Sequence, residues 1–155
     1  MKKNLTILHC NDIHGDFLPH RGAFGLFEGG LSRLSGYVKK VRAEEKNVIF
    51  ANAGDMFRGS VIDSEYMGLS TIELMNLLPD VTTVGNHEVD YGIAHLLFLE
   101  KCARFPIINA NLFITSNNAR LFKPYLNVNV DGMNVLFIGI LTQEVIASTK
   151  SEKVI

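Results

Sequence analysis

The chain has 155 residues, 47% of them hydrophobic and 20% charged, with a formal net charge of −1; this suits one globular domain with a substantial core and leaves little room for a second. Its 15 Lys and Arg residues are scattered rather than clustered, which argues against a nucleic-acid partner and against an anionic membrane surface. The two cysteines, Cys10 and Cys102, fall in no metal or redox spacing and read as free, mostly buried thiols.

The basic start Met1-Lys2-Lys3 leads into an apolar stretch too short for a signal peptide and cut by His9, Asn11 and Asp12. A cytoplasmic address follows, or a periplasmic or extracellular one if a leader has been removed. Leu5 to Cys10 reads as a buried first strand that ends in a polar loop. After Gly29-Gly30, Leu31, Leu34, Val38 and Val41 recur at helical spacing, with Lys39, Lys40 and Arg42 on the other face. Val48 to Ala51 is a second short strand, closed by Gly54. Ser70-Thr71-Ile72-Glu73 has the form of a capping box, and the helix it opens stops at Pro79. Val81 to Val84 predicts a third strand, followed by a loop and a third helix from about Gly92 to Arg104. Pro106-Ile107-Ile108 starts a fourth strand, and Tyr125–Val130 with Met133–Ile140 around Asp131-Gly132 predicts a hairpin. Strands alternating with helices predict an α/β fold with a mostly parallel sheet at its start. The loops leaving the carboxyl ends of such strands form the binding crevice.

Three of those loops are polar: Asn11-Asp12-Ile13-His14-Gly15, Gly54-Asp55-Met56-Phe57-Arg58-Gly59 and Gly85-Asn86-His87-Glu88-Val89-Asp90. In an extended segment Asp12 and His14 project to the same side, and a carboxylate beside an imidazole suits a divalent transition metal. Taken singly, Asp55, Asn86 and His87 have plain turn-forming readings. Taken together, three successive strands each deliver Asp, His or Asn to one edge of a sheet. Converging carboxylates repel unless a cation lies among them, and phosphoryl transfer uses two metals about 3.5–4 Å apart in such a site.

These motifs resemble the first three motifs of the calcineurin-like metallophosphoesterases. More narrowly, Ile7-Leu8-His9-x-Asn11-Asp12-x-His14-Gly15, Gly29-Gly30-Leu31-Ser32-Arg33 and Gly85-Asn86-His87-Glu88-x-Asp90-x-Gly92 resemble the 5′-nucleotidase and UDP-sugar hydrolase branch. Pro106-Ile107-Ile108-Asn109-Ala110-Asn111 and the run at residues 132–139 fit the same branch, so the likeness covers essentially the whole chain. It implies an α/β fold that is mostly the first half of a four-layer α/β/β/α sandwich. Residues 1–155 would be the N-terminal portion of the catalytic domain, without its second half or the C-terminal nucleotide-binding domain. By the resemblance, Asp12 and His14 bind a first metal, Asp55 bridges two, and Asn86 binds the second. His87 faces the phosphate and Asp90 orients it. The implied cofactors are divalent ions (Mn, Zn, Fe, Co or Mg), two in the complete enzyme. The implied reaction is hydrolysis of phosphate esters on nucleotides by a two-metal-activated hydroxide.

Two departures matter. Arg58 stands where the family often has Gln and either helps hold phosphate or is a plain surface residue. The family also completes its metal site with downstream histidines, including a Gly-His-x-His-type motif, whereas the histidines here are His9, His14, His20, His87 and His95. His95 reads as a helix-face residue and His20 as exposed. The site is therefore expected to be incomplete, with weak metal binding and little or no turnover by this chain alone. One sheet is expected to expose apolar surface, favouring a homodimer, strand exchange or poor solubility. Two other readings stay open: a non-catalytic metal- or nucleotide-binding protein or subunit, and a phosphoesterase for cyclic nucleotides or other esters.

Overall fold

The computed structural model describes residues 2–143. Four strands form a parallel sheet: β1 (Thr6–Cys10), β4 (Val48–Asn52), β5 (Val81–Thr83) and β6 (Ile107–Ile108), adjacent in that order. Thr6 pairs with Val48 and Cys10 with Asn52, Ala51 with Val81, and Thr82 with Ile107. Each parallel step needs a crossover, and helices supply them. α1 (Leu31–Glu44) links β1 to β4, α2 (Val61–Glu65) and α3 (Leu69–Met75) link β4 to β5, and α4 (Ile93–Cys102) links β5 to β6.

The core lies between these helices and one face of the sheet. It joins Val38 of α1, Phe50 of β4, Ile72 and Met75 of α3, and Leu96 and Leu99 of α4 with Met56 and Phe57 from the loop after β4. Leu31, Val38 and Val41 are the buried positions of α1, as their helical spacing requires. Two short hairpins, β2 (His20–Arg21) with β3 (Phe27–Glu28) and β7 (Phe113–Ile114) with β8 (Ala119–Arg120), decorate the connections.

β9 (Tyr125–Val130) and β10 (Met133–Ile138) pair antiparallel, with Val130 opposite Met133. Both turn residues have positive φ, Asp131 at 52° and Gly132 at 76°, the twist that a two-residue hairpin prefers. The chain after β10 is tied back to the parallel sheet's end: Ala110 N donates to Gly139 O at 2.7 Å, and Leu141 N to Asn111 Oδ1 at 3.0 Å. On the hairpin's outer face Tyr125, Leu136 and Ile138 are exposed, and Ile140 follows them at 68%. This is an apolar strand surface left open to solvent.

Several local expectations are corrected. β1 is half-buried rather than buried, because among the described residues it pairs with β4 alone at the edge of the sheet, and Ile7 remains 48% exposed. The Ser70 capping box does not form. α3 begins at Leu69 behind Gly68, which sits at φ 86°, and the Ser70 hydroxyl donates to Ile62 O instead. The helix ahead of it, α2, is capped by Ser60, whose side chain accepts from Asp63 N. The helix carrying His95 is consequently the fourth, not the third.

Candidate metal centre

The three polar loops leave β1, β4 and β5 at their carboxyl ends and meet. The first two run side by side beyond the strands. Ala53 N donates to Cys10 O at 2.8 Å, Asp12 N to Gly54 O at 3.1 Å, His14 N to Asp55 O at 3.1 Å and Gly15 N to Met56 O at 2.9 Å. This stretch is not extended, contrary to the sequence reading of Asp12 and His14. Asp12 (φ 53°), His14 (φ 50°) and Asp55 (φ 53°) all adopt the left-handed conformation. It is the coiling of two coupled loops, not strand alternation, that brings their side chains together. Left-handed non-glycine residues carry strain that the surrounding bonds must hold.

The third loop crosses closely. Gly54 lies at φ 97°, and a Cβ there would fall 2.6 Å from Gly85 N, while one on Gly85 would collide with Asp55 Oδ1. Bare backbone at both positions lets the β4 and β5 loops touch. His87 N donates to Asp55 Oδ1 at 3.0 Å. The bond draws the Asn86-His87 peptide onto the cluster. Asn86 begins the 3₁₀ turn His87–Val89 without spending its side chain on capping.

Asp12, His14 and Asp55 each offer a ligand atom, and these atoms lie within 4.8 Å of one another. His14 Nδ1 is 2.9 Å from the Arg58 carbonyl and 3.2 Å from that of Phe57. A carbonyl can only accept, so the proton sits on Nδ1 and Nε2 is left with a lone pair, 3.4 Å from Asp12 Oδ1. This donor set, two carboxylates and one imidazole whose tautomer is fixed by backbone, fits a divalent ion. The Asn11 amide holds the Asp12 carboxyl below its ordinary value, helped by His14 and Asp55. Desolvation works to lower the His14 imidazole, but the carbonyls of Arg58 and Phe57 and the Asp55 and Asp12 carboxylates outweigh it and raise it. The His14 shift reports the acceptors and negative charge around the imidazole, and the Asp12 shift the hydrogen-bond donors and the imidazole beside its carboxylate.

Beside this cluster, the His87 ring stands edge-on to that of His14, with centroids 4.9 Å apart. Its Nδ1 is 2.7 Å from Asp90 Oδ2, and Arg58 Nη1 reaches the same oxygen at 2.7 Å. Burial works against the charge of Asp90, yet the hydrogen bonds and positive charge of His87 and Arg58 prevail and lower its pKa. All six residues singled out from the sequence, Asp12, His14, Asp55, Asn86, His87 and Asp90, thus fall in one neighbourhood. The remaining histidines stand apart from it: His9 and His20 are exposed, and His95 bonds to Met67 O at 2.7 Å.

Two buried carboxylates were not legible as site residues. Glu88, fully buried, accepts from Asp55 N (2.9 Å), Met56 N (2.7 Å) and Gly85 N (2.5 Å). Asp63, also fully buried, accepts from Arg58 N at 2.6 Å, from Tyr91 Oη at 3.1 Å and from the Thr71 hydroxyl. One carboxylate grips the start of the Asp55 loop and the other its end. In the sequence Glu88 shows only as the last letter of the Gly85-Asn86-His87-Glu88 motif, and Asp63, flanked by exposed Ile62 and Ser64, gives no signal of its burial.

The profile of the family described as calcineurin-like phosphoesterase matches residues 5–147. Snake venom 5′-nucleotidase from Naja atra is 35% identical over 151 residues, 90% of this chain and 28% of that protein. Among solved structures, the NAD nucleotidase of Haemophilus influenzae superposes with a TM-score of 0.85 at 31% identity, over 96% of this chain and 28% of that one. The 5′-nucleotidase precursor of Thermus thermophilus gives 0.86 at 31% identity, over 97% and 31%. The chain therefore spans less than a third of each of these relatives. Among the described residues no helix is long and apolar enough to cross a membrane. With its α/β fold, its metal-type cluster and these relatives, the chain belongs to the calcineurin-like phosphoesterases, a family that uses divalent metals, and 5′-nucleotidases are among its homologues.

Proposed function

We propose that this chain carries the Asp12–His14–Asp55–Asn86 portion of a two-metal site that hydrolyses phosphate esters of nucleotides. Residues 1–155 are then the N-terminal portion of a catalytic domain whose other metal ligands come from polypeptide outside this sequence. The observation that supports it most is the convergence of Asp12, His14 and Asp55 within 4.8 Å beside the His87–Asp90 pair. The similarity to proteins named 5′-nucleotidases supports the nucleotide substrate.

Asp12, His14 Nε2 and Asp55 would hold one ion, and Asp55 with the Asn86 amide oxygen a second. Divalent ions bound there would supply positive charge to a phosphoryl oxygen and acidity to a water. Three titratable donors are few for a tightly held pair at neutral pH, which is why the chain by itself is assigned slow turnover. Asp90 fixes the His87 proton on Nδ1 and holds the ring, leaving Nε2 to exchange a proton with the leaving oxygen. Glu88 and Asp63 keep the Asp55 loop from relaxing out of its left-handed path.

The reading is tested by assaying a simple phosphate monoester with added manganese. His87→Ala should lower whatever turnover the chain shows by roughly 100-fold, the usual size of a proton-transfer contribution, and leave manganese affinity unaltered. Turnover unchanged by that substitution would remove His87 from the chemistry. A full rate of about 10 per second from this chain alone would contradict the incomplete site.

A further inference from the structure

The Arg58 side chain is 58% exposed, yet its residue is tied at three points. Its backbone lies at φ 63°, with N–H donating to buried Asp63 and C=O accepting from His14 Nδ1. Its Nη1 is bonded to Asp90, whose own side chain is only 10% exposed. Because Asp90 Oδ2 takes both Arg58 Nη1 and His87 Nδ1 at 2.7 Å, the guanidinium and the imidazole are lashed to a single oxygen. Arg58 also borders a surface depression of about 510 Å³ lined by Gly59, Ser60, Val61, Ser64 and Glu65. A guanidinium has five N–H donors, and the bond to Asp90 uses Nη1.

From this we propose that Arg58 is a phosphate-binding and specificity-determining residue. It clamps non-bridging oxygens of a terminal, dianionic phosphoryl group beside His87 and so favours monoesters over diesters. The inference rests on the phosphoesterase reading above and adds to it the charge class of the substrate. The physical reason is geometric and electrostatic. The planar fork matches two phosphate oxygens at once, which an ammonium cannot do. A terminal phosphoryl group presents three such oxygens and close to two charges, whereas a diester presents two oxygens and one charge. Asp90 takes one donor of the fork, and a monoester offers more oxygens than a diester to receive the others.

The test is equilibrium dialysis of radiolabelled inorganic phosphate, and separately of dimethyl phosphate, against the full chain with manganese. Manganese binding itself is followed by its electron spin resonance. Arg58→Gln should weaken inorganic phosphate at least about tenfold, as loss of a charge-assisted bidentate contact does. It should weaken dimethyl phosphate by less than about threefold and leave manganese affinity within about twofold. Arg58→Lys, which keeps the charge and loses the fork, should fall between the two proteins. Manganese binding with phosphate affinity unmoved by Arg58→Gln would overturn the role of Arg58 alone. So would parent protein that binds manganese but takes up no phosphate. Failure of the parent to bind manganese at all would overturn the proposed metal site, and this inference with it.

Discussion

Replacing Asp55 with Asn is expected to lower the affinity of this chain for manganese at least about 100-fold, more than the loss of an outer-shell partner costs. Asp55 is the one acid of the cluster supplied by the β4 loop, and it faces Asp12 and His14 within 4.8 Å. An amide keeps the oxygen that receives His87 N, at 3.0 Å in the parent, so the loop contacts survive. What it loses is the charge, and it turns an N–H₂ toward the ion. Titration of both proteins with manganese, followed by the spectrum of the free ion, separates the cases. Affinity held within about threefold would exclude Asp55 as a ligand, and a folded, metal-free variant would support it.

The second large effect concerns stability. Glu88→Ala should cost about 4 kcal/mol or more, because it orphans three backbone N–H groups at once, those of Met56 and Gly85 in buried surroundings, and each unsatisfied buried group costs about 1–3 kcal/mol. That is a large share of the 5–15 kcal/mol or so that holds a typical domain. The donors lost are those of Asp55, Met56 and Gly85, so the site should loosen before the sheet does. The same carboxyl gives a pH signature. Burial pushes Glu88 up to about 7, although the three backbone N–H groups pull it down. A folded-state pKa above the unfolded value means a contribution fully present below the ordinary Glu range, about 4.3, and lost as pH rises through about 7. Urea unfolding of metal-free protein across that window should show stability falling with pH in the parent relative to Glu88→Gln, whose neutral amide does not titrate. Parallel pH profiles for the two proteins would contradict the assignment.

How far the sequence reaches can be judged from particular residues. β4, α1 and the β9–β10 hairpin were readable because apolar spacing and Asp131-Gly132 act locally. α2 was not, since five residues give no amphipathic pattern and its cap, Ser60, resembles any polar loop residue. Leu5 to Cys10 looks like a core strand because it is apolar; whether a neighbour covers Ile7 is settled by sheet order, which no local pattern encodes. The candidate residues could be picked out because Gly-Asp and Gly-Asn-His follow apolar strands. Its geometry was not. Nothing in the letters Asp-Ile-His announces a left-handed backbone, and the clamping by Glu88 and Asp63 exists only once three loops have met. Arg58 shows the same limit: its tie to Asp90 spans 32 residues.

A divalent ion between Asp12, His14 and Asp55 is what the proposed chemistry requires. Anomalous scattering from manganese-soaked crystals of this chain, collected near the manganese absorption edge, tests it most directly. The expected result is a peak within coordination distance of His14 Nε2 and of a carboxylate oxygen from each of Asp12 and Asp55, absent in the Asp55→Asn protein. A fully soaked crystal with no peak there, or with manganese bound only elsewhere on the chain, would contradict it.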